Sequence, residues 1–158
     1  MYFISPILVV MILAAAAVST VSPDLFLDQR HNKAPIEIFF YILFIIPLSS
    51  VLIEEVIFRG VIPFVLSKKS SIKSSYVVSS LMFGLWHVVT AGSVSLNFAR
   101  NQLIPEAVMV SSTIVLFTFL VGLFFSWLRV RTKSLFAPIF VHWFSNGLGV
   151  LLAYLASR

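Results

Sequence analysis

The stretch IEIFFYILFIIPLSSVLIEEVIFRGVIPFVL, Ile36–Leu66, decides how this chain is read. Pro35 opens it, and Lys68, Lys69 and Lys73 close it. A bilayer core about 30 Å thick is crossed by about 20 mostly apolar helical residues, so this run is too long for one upright span. It is expected to form one tilted helix kinked near Pro47, with a broken pair of helices as the alternative.

The rest of the chain has the same character. Its 158 residues are 59% hydrophobic and 11% charged, with a mean hydropathy of +1.04. Soluble domains run at roughly 45–50% apolar and about 25% charged, so water is not the main solvent here. Sixteen Phe against six acidic residues exclude a disordered chain and a nucleic-acid binder, because too little polar surface remains to solvate either. The net charge of +5 comes from eleven Lys and Arg placed mostly between apolar stretches, where cations meet anionic headgroups and set orientation. Absence of cysteine rules out disulfides, thiolate metal sites and a Cys nucleophile.

Four further spans are expected around the central run: Tyr2–Val21, Ser75–Thr90, Ala107–Leu128 and Leu135–Ala156. The first has no Lys or Arg ahead of its apolar stretch and reads as a retained span rather than a cleaved signal peptide. A polar connection carrying Asp24, Asp28, Arg30, His31 and Lys33 follows it, and the semi-polar segment Ala91–Glu106 is expected to be partly re-entrant. The expected fold is therefore all-α, a polytopic transmembrane helical bundle of about five spans forming a single domain over residues 1–158. Alternate connections hold Lys68, Lys69, Lys73, Arg129, Arg131 and Lys133 on one side, against Arg30, Lys33, Arg100 and Arg158 on the other. That bias predicts a cytoplasmic N-terminus.

Glu54, Glu55 and Arg59 stand out because they lie inside the apolar run. A charge at mid-helix costs about 2.5–3.5 kcal/mol on insertion scales, so such groups are paired, face protein and usually serve a function. Glu55 and Arg59 are i,i+4 neighbours in the favourable order. Glu54 points roughly 100° away and is expected to find its partners on another helix. Phe83 with His87, and His142 with Asn146, are likewise spaced to share a helical face. One carboxylate, two imidazoles and one carboxamide suit water-driven acyl transfer: the Glu takes a proton from water, His positions that water, and Asn and His donate to the oxyanion.

These residues also resemble a known family. Glu54-Glu55-Val56-Ile57-Phe58-Arg59 is similar to its EExxxR motif, Phe83-Gly84-Leu85-Trp86-His87 to FxxxH and His142-Trp143-Phe144-Ser145-Asn146 to HxxxN, in the same order. Gly122–Arg131 and Ser134–Pro138 resemble the segment before the last motif. The family is that of the CAAX proteases and bacteriocin-processing enzymes, including the CAAX prenyl proteases and bacterial Abi-type proteins, and the resemblance covers about residues 40–150. It implies an intramembrane endopeptidase of a bacterial or archaeal cytoplasmic membrane. Glu54 matches the catalytic base, His87 the water-activating histidine, and His142 and Asn146 the oxyanion pair, while Glu55, Arg59 and Phe83 match supporting motif positions. Relatives cut prenylated tails, bacteriocin or pheromone precursors and sorting-signal peptides, so the implied substrate is a membrane-associated peptide or protein tail. Members commonly carry more N-terminal spans, which implies for this shorter chain an open substrate entrance, an accessory membrane protein or a homo-oligomer.

Each feature has a plainer reading when taken alone. Glu55 with Arg59 is explained by a buried ion pair, His87 or Asn146 by interhelical hydrogen bonding, and Trp86 and Trp143 by packing or the membrane interface. The basic clusters read as topology signals, with lipid binding second. No HExxH pair is present, so no metal is favoured; a zinc-dependent variant would have to draw on Glu54, His87 and His142. Rival functions are a non-catalytic immunity or scaffold protein and a small proton-coupled carrier, although the repeat symmetry of a carrier is missing.

Overall fold

The computed structural model describes residues 34–88 and 104–156, and among them every regular element is helical. Helix α1 runs Pro35–Ser67, α2 Ile72–Trp86, α3 Ile104–Thr132 and α4 Phe136–Ala156. Among the described residues, three helical segments are long and apolar enough to cross a bilayer: α1, Val108–Thr132 of α3 and Phe136–Leu155 of α4. The expected count of five is not confirmed, since one of the expected spans lies outside the described residues. With 15 residues, α2 extends only about 22 Å, short of the roughly 30 Å core. The expected first span, Tyr2–Val21, the connection with Arg30 and His31, Arg158 and nearly all of the semi-polar segment lie outside the described residues.

The central run forms one helix, as expected of its length, but its hydrogen bonding is unusual. Ile46 N–H bonds to Tyr41 O, Leu52 N–H to Pro47 O and Ile62 N–H to Ile57 O, three widened turns with donors five residues beyond their acceptors. Such turns are rare and gather near functional sites and prolines. At the start of α1, Pro35 occupies the first position, where a missing N–H costs nothing, and the Glu37 carboxylate accepts the Ala34 N–H at 3.0 Å.

The chain divides into two compact units, Met1–Ile53 with Ile139–Arg158, and Glu54–Pro138. In the first, α4 meets the beginning of α1 at Ile42, whose carbonyl accepts Trp143 Nε1–H at 2.7 Å. Ile38 and Ile46, one turn to either side of Ile42, are buried.

In the second unit α2 and α3 pack antiparallel through small residues. A Cβ on Gly84 would come within 2.9 Å of the Val115 carbonyl and 3.0 Å of Phe119 Cβ, while nearer the other end Ser80 Oγ meets Ser126 Oγ at 3.0 Å. Lipid offers no hydrophobic force between helices, so close backbone approach and buried hydroxyl bonds supply the association. Ser75, Ser79, Ser80, Phe83 and Gly84 form the buried stripe of α2, and Val77, Val78, Leu81, Met82 and Leu85 face outward. Ser71 caps α2 by accepting the Ser74 N–H. Lys133, with φ 55°, ends α3 in the left-handed region, and Ser134 Oγ then accepts the Phe136 N–H to start α4.

Candidate active site

Residues of the EExxxR motif build a buried charge centre in the second unit. Both side chains of the Glu55–Arg59 pair are fully buried, with Nη1 donating to Oε1 at 3.0 Å. Arg59 Nη2 donates to the Gly122 carbonyl of α3 at 3.3 Å, and the guanidinium carbon lies 4.1 Å from the Phe83 centroid and 5.1 Å from that of Phe125. A Cβ on Gly122 would stand 3.3 Å from that nitrogen and 3.2 Å from Phe83, so a bare backbone at 122 makes room for the cation. Two hydrogen bonds and two ring faces thus compensate a charge withdrawn from water, the conditions under which such burial is tolerated.

Glu54 is half-buried. Glu54, expected to find its partners on another helix, also interacts electrostatically with Arg59 on its own helix, less strongly than Glu55 does. The reason is local geometry: Val56–Val61 is a widened turn, and a wider turn carries residue i+5 back towards residue i.

His87 sits at the C-terminal end of α2, its Nδ1 2.8 Å from the Phe83 carbonyl. A carbonyl only accepts, so in the neutral ring Nδ1 carries the proton and Nε2 is left as an acceptor. Phe83 packs edge-on against the imidazole at 4.6 Å and against Phe58 at 5.3 Å. The aromatic of FxxxH therefore links Arg59 to His87, a closer role than packing alone.

His142 and Asn146 lie one turn apart on α4, in the first unit, where His142 is buried and Asn146 exposed. Between them Trp143, read from sequence as packing or interfacial, is a hydrogen-bond donor to α1. The structure thus gathers Glu55, Arg59, Phe83 and His87 in direct contact and carries the HxxxN pair on a separate unit. From the sequence, Gly122 had no site role beyond its segment, and Trp143 had none beyond packing or the interface. For the latter a signal existed, since an in-helix proline such as Pro47 leaves a carbonyl that needs an outside donor.

Three bilayer-length apolar helices among the described residues, one of them holding a buried, compensated ion pair, define an integral membrane protein with a polar interior site. The family model described as Rce1-like, type II CAAX prenyl endopeptidase, matches residues 35–148, and the chain belongs to that protease family. No curated protein and no solved structure matches it.

Proposed function

We propose that the protein is an intramembrane endopeptidase that hydrolyses a peptide bond in a membrane-associated tail with a water activated by Glu54 and His87. The observation that carries this reading is that the family match over residues 35–148 contains all three motifs, with Glu54, His87, His142 and Asn146 at the motif positions. The His87 ring supports it, because the fixed Nδ1 bond leaves Nε2 to accept a hydrogen bond from the attacking water and orient it.

In the proposed cycle Glu54 takes one proton from that water and the oxygen adds to the scissile carbonyl carbon. His142 and Asn146 donate to the oxyanion that forms. Glu54 then returns the proton to the departing nitrogen as the C–N bond breaks. No metal takes part in this scheme. The Glu55–Arg59 pair holds α1 and α3 in register beside the reacting groups and stays out of proton transfer. The family description points to a prenylated C-terminal tail as substrate. With α2 and α3 antiparallel, Lys73 and the group Arg129, Arg131 and Lys133 fall at the same end of the pair, which supports placing that end, and the N-terminus, in the cytoplasm.

The test is cleavage of a farnesylated peptide ending in a CAAX sequence by purified protein in lipid nanodiscs. Wild type is expected to release the last three residues with EDTA present, and Glu54→Ala, His87→Ala and Asn146→Ala to lose at least a hundredfold in rate. Equal cleavage by all four proteins would end the peptidase reading, and cleavage abolished by EDTA and restored by zinc would replace the metal-free scheme.

A further inference from the structure

Two prolines interrupt α1, and each deprives one carbonyl of a backbone donor. Pro has no N–H, and in the widened turns the acceptor opposite residue n is residue n−5. Ile46 N–H bonds to Tyr41, so the next carbonyl, Ile42, would await an N–H at position 47, which is Pro. Ile62 N–H bonds to Ile57, so Phe58 would await position 63, also Pro. A side chain from another helix of the same unit satisfies each orphan: Ser79 Oγ–H donates to Phe58 O, and Trp143 Nε1–H donates to Ile42 O at 2.7 Å.

The second case bears on the HxxxN motif. Gly147, one turn beyond Trp143, lies against the same residue, for a Cβ there would come within 2.9 Å of Ile42 Cγ2. Three positions therefore specify one bond: Pro47 frees the carbonyl, Gly147 lets α4 approach, and Trp143 delivers the donor. A helix is stiff over one turn, so fixing the direction of residue 143 also fixes the directions of residues 142 and 146. We propose that Trp143 is a positioning residue, whose bond to the carbonyl released by Pro47 holds α4 at the rotation that presents His142 and Asn146. The inference rests on the peptidase reading, which gives those two side chains their task.

The test compares the full chain in nanodiscs as wild type, Trp143→Phe, Pro47→Ala and the double variant, each assayed on the farnesylated CAAX peptide below its unfolding temperature, with Glu54→Ala alongside. Trp143→Phe is expected to lower kcat at least tenfold and change KM less than twofold. Pro47→Ala returns a backbone N–H to Ile42, competes with the indole and lowers kcat too, so adding Trp143→Phe to it costs less than a further threefold. Multiplicative losses, or a wild-type kcat in Trp143→Phe, would overturn the proposal. A second arm needs no turnover. Because the chain has no cysteine, a lone Asn146→Cys reports the rotation of α4 through its rate of reaction with a water-soluble maleimide. Trp143→Phe should shift that rate at least threefold with Pro47 present, and an unchanged rate again overturns the proposal. If Glu54→Ala cleaves as fast as wild type, the peptidase reading has failed, and the labelling arm judges Trp143 alone.

Discussion

The guanidinium of Arg59 stacks on the Phe83 ring at 4.1 Å, and the same ring meets the His87 imidazole at 4.6 Å. One aromatic thereby connects the buried cation of α1 with the imidazole on α2. Charge in a membrane interior is costly, so Arg59 needs compensating partners, and Phe83, one of them, also contacts His87.

Removing only one member of the Glu55–Arg59 pair leaves a buried charge without its partner. Arg59→Leu is expected to destabilise the protein by about 3–5 kcal/mol, and the double variant Glu55→Leu/Arg59→Leu to recover most of that loss. Thermal unfolding in detergent measures both. Arg59→Lys should rescue poorly, because a point charge gives up the planar stacking on Phe83 and the fork between Glu55 and Gly122.

Phe83→Leu keeps the apolar volume of the core but removes the face beneath Arg59 and the edge against His87. A desolvated cation–ring contact is worth about 2 kcal/mol, which sets the expected loss of stability. Cleavage should fall about tenfold, as for a 1.4 kcal/mol rise in the barrier. Peptide turnover and unfolding temperature, taken on the same preparation, check the pair of effects.

Ser79→Ala withdraws the donor from the carbonyl that Pro63 leaves unsatisfied. Its cost is expected at about 1–3 kcal/mol in the native background and to shrink when Pro63→Ala supplies a backbone N–H. A double-mutant cycle in unfolding free energy reads the difference directly.

Gly84 of α2 and Gly149 of α4 should respond with opposite sign. At Gly84 an added methyl meets the Val115 backbone, and overpacking of this kind costs about 1–3 kcal/mol. At Gly149 nothing lies within 4 Å of the same position. Gly149→Ala is therefore expected to stabilise α4 by about 0.5–1 kcal/mol through helix propensity. Unfolding temperatures of the two alanine variants decide the matter.

The parts of this molecule that follow from hydropathy and helical spacing were legible from the residues alone. The helix Pro35–Ser67 agrees with the run Ile36–Leu66 to within a residue at either end, and the Glu55–Arg59 bond follows from i,i+4 spacing. What escaped depends on backbone register. Nothing in the residue types announces that Val56–Val61 widens, so the reach of Arg59 to Glu54 was not visible in an ideal 3.6-residue turn. The ends of α2 differ from the expected Ser75–Thr90 although its length hardly does: Ser71 caps it earlier, and the helix ends at Trp86 with His87 folding its ring onto the Phe83 carbonyl. The Gly122 carbonyl, 63 residues from Arg59, could be found only in three dimensions.

Whether His87 and His142 reach the same water is the claim on which the peptidase reading stands, and thiol cross-linking addresses it without any substrate. In the naturally cysteine-free chain, the pair His87→Cys/His142→Cys in nanodiscs should be joined rapidly by a short bis-thiosulfonate reagent. A control pair, His87→Cys/Leu155→Cys, places the second thiol about 20 Å further along α4 and should stay unlinked. Linking of the histidine-position pair well above the control is the predicted result, and equal, background-level linking of both would contradict a shared site.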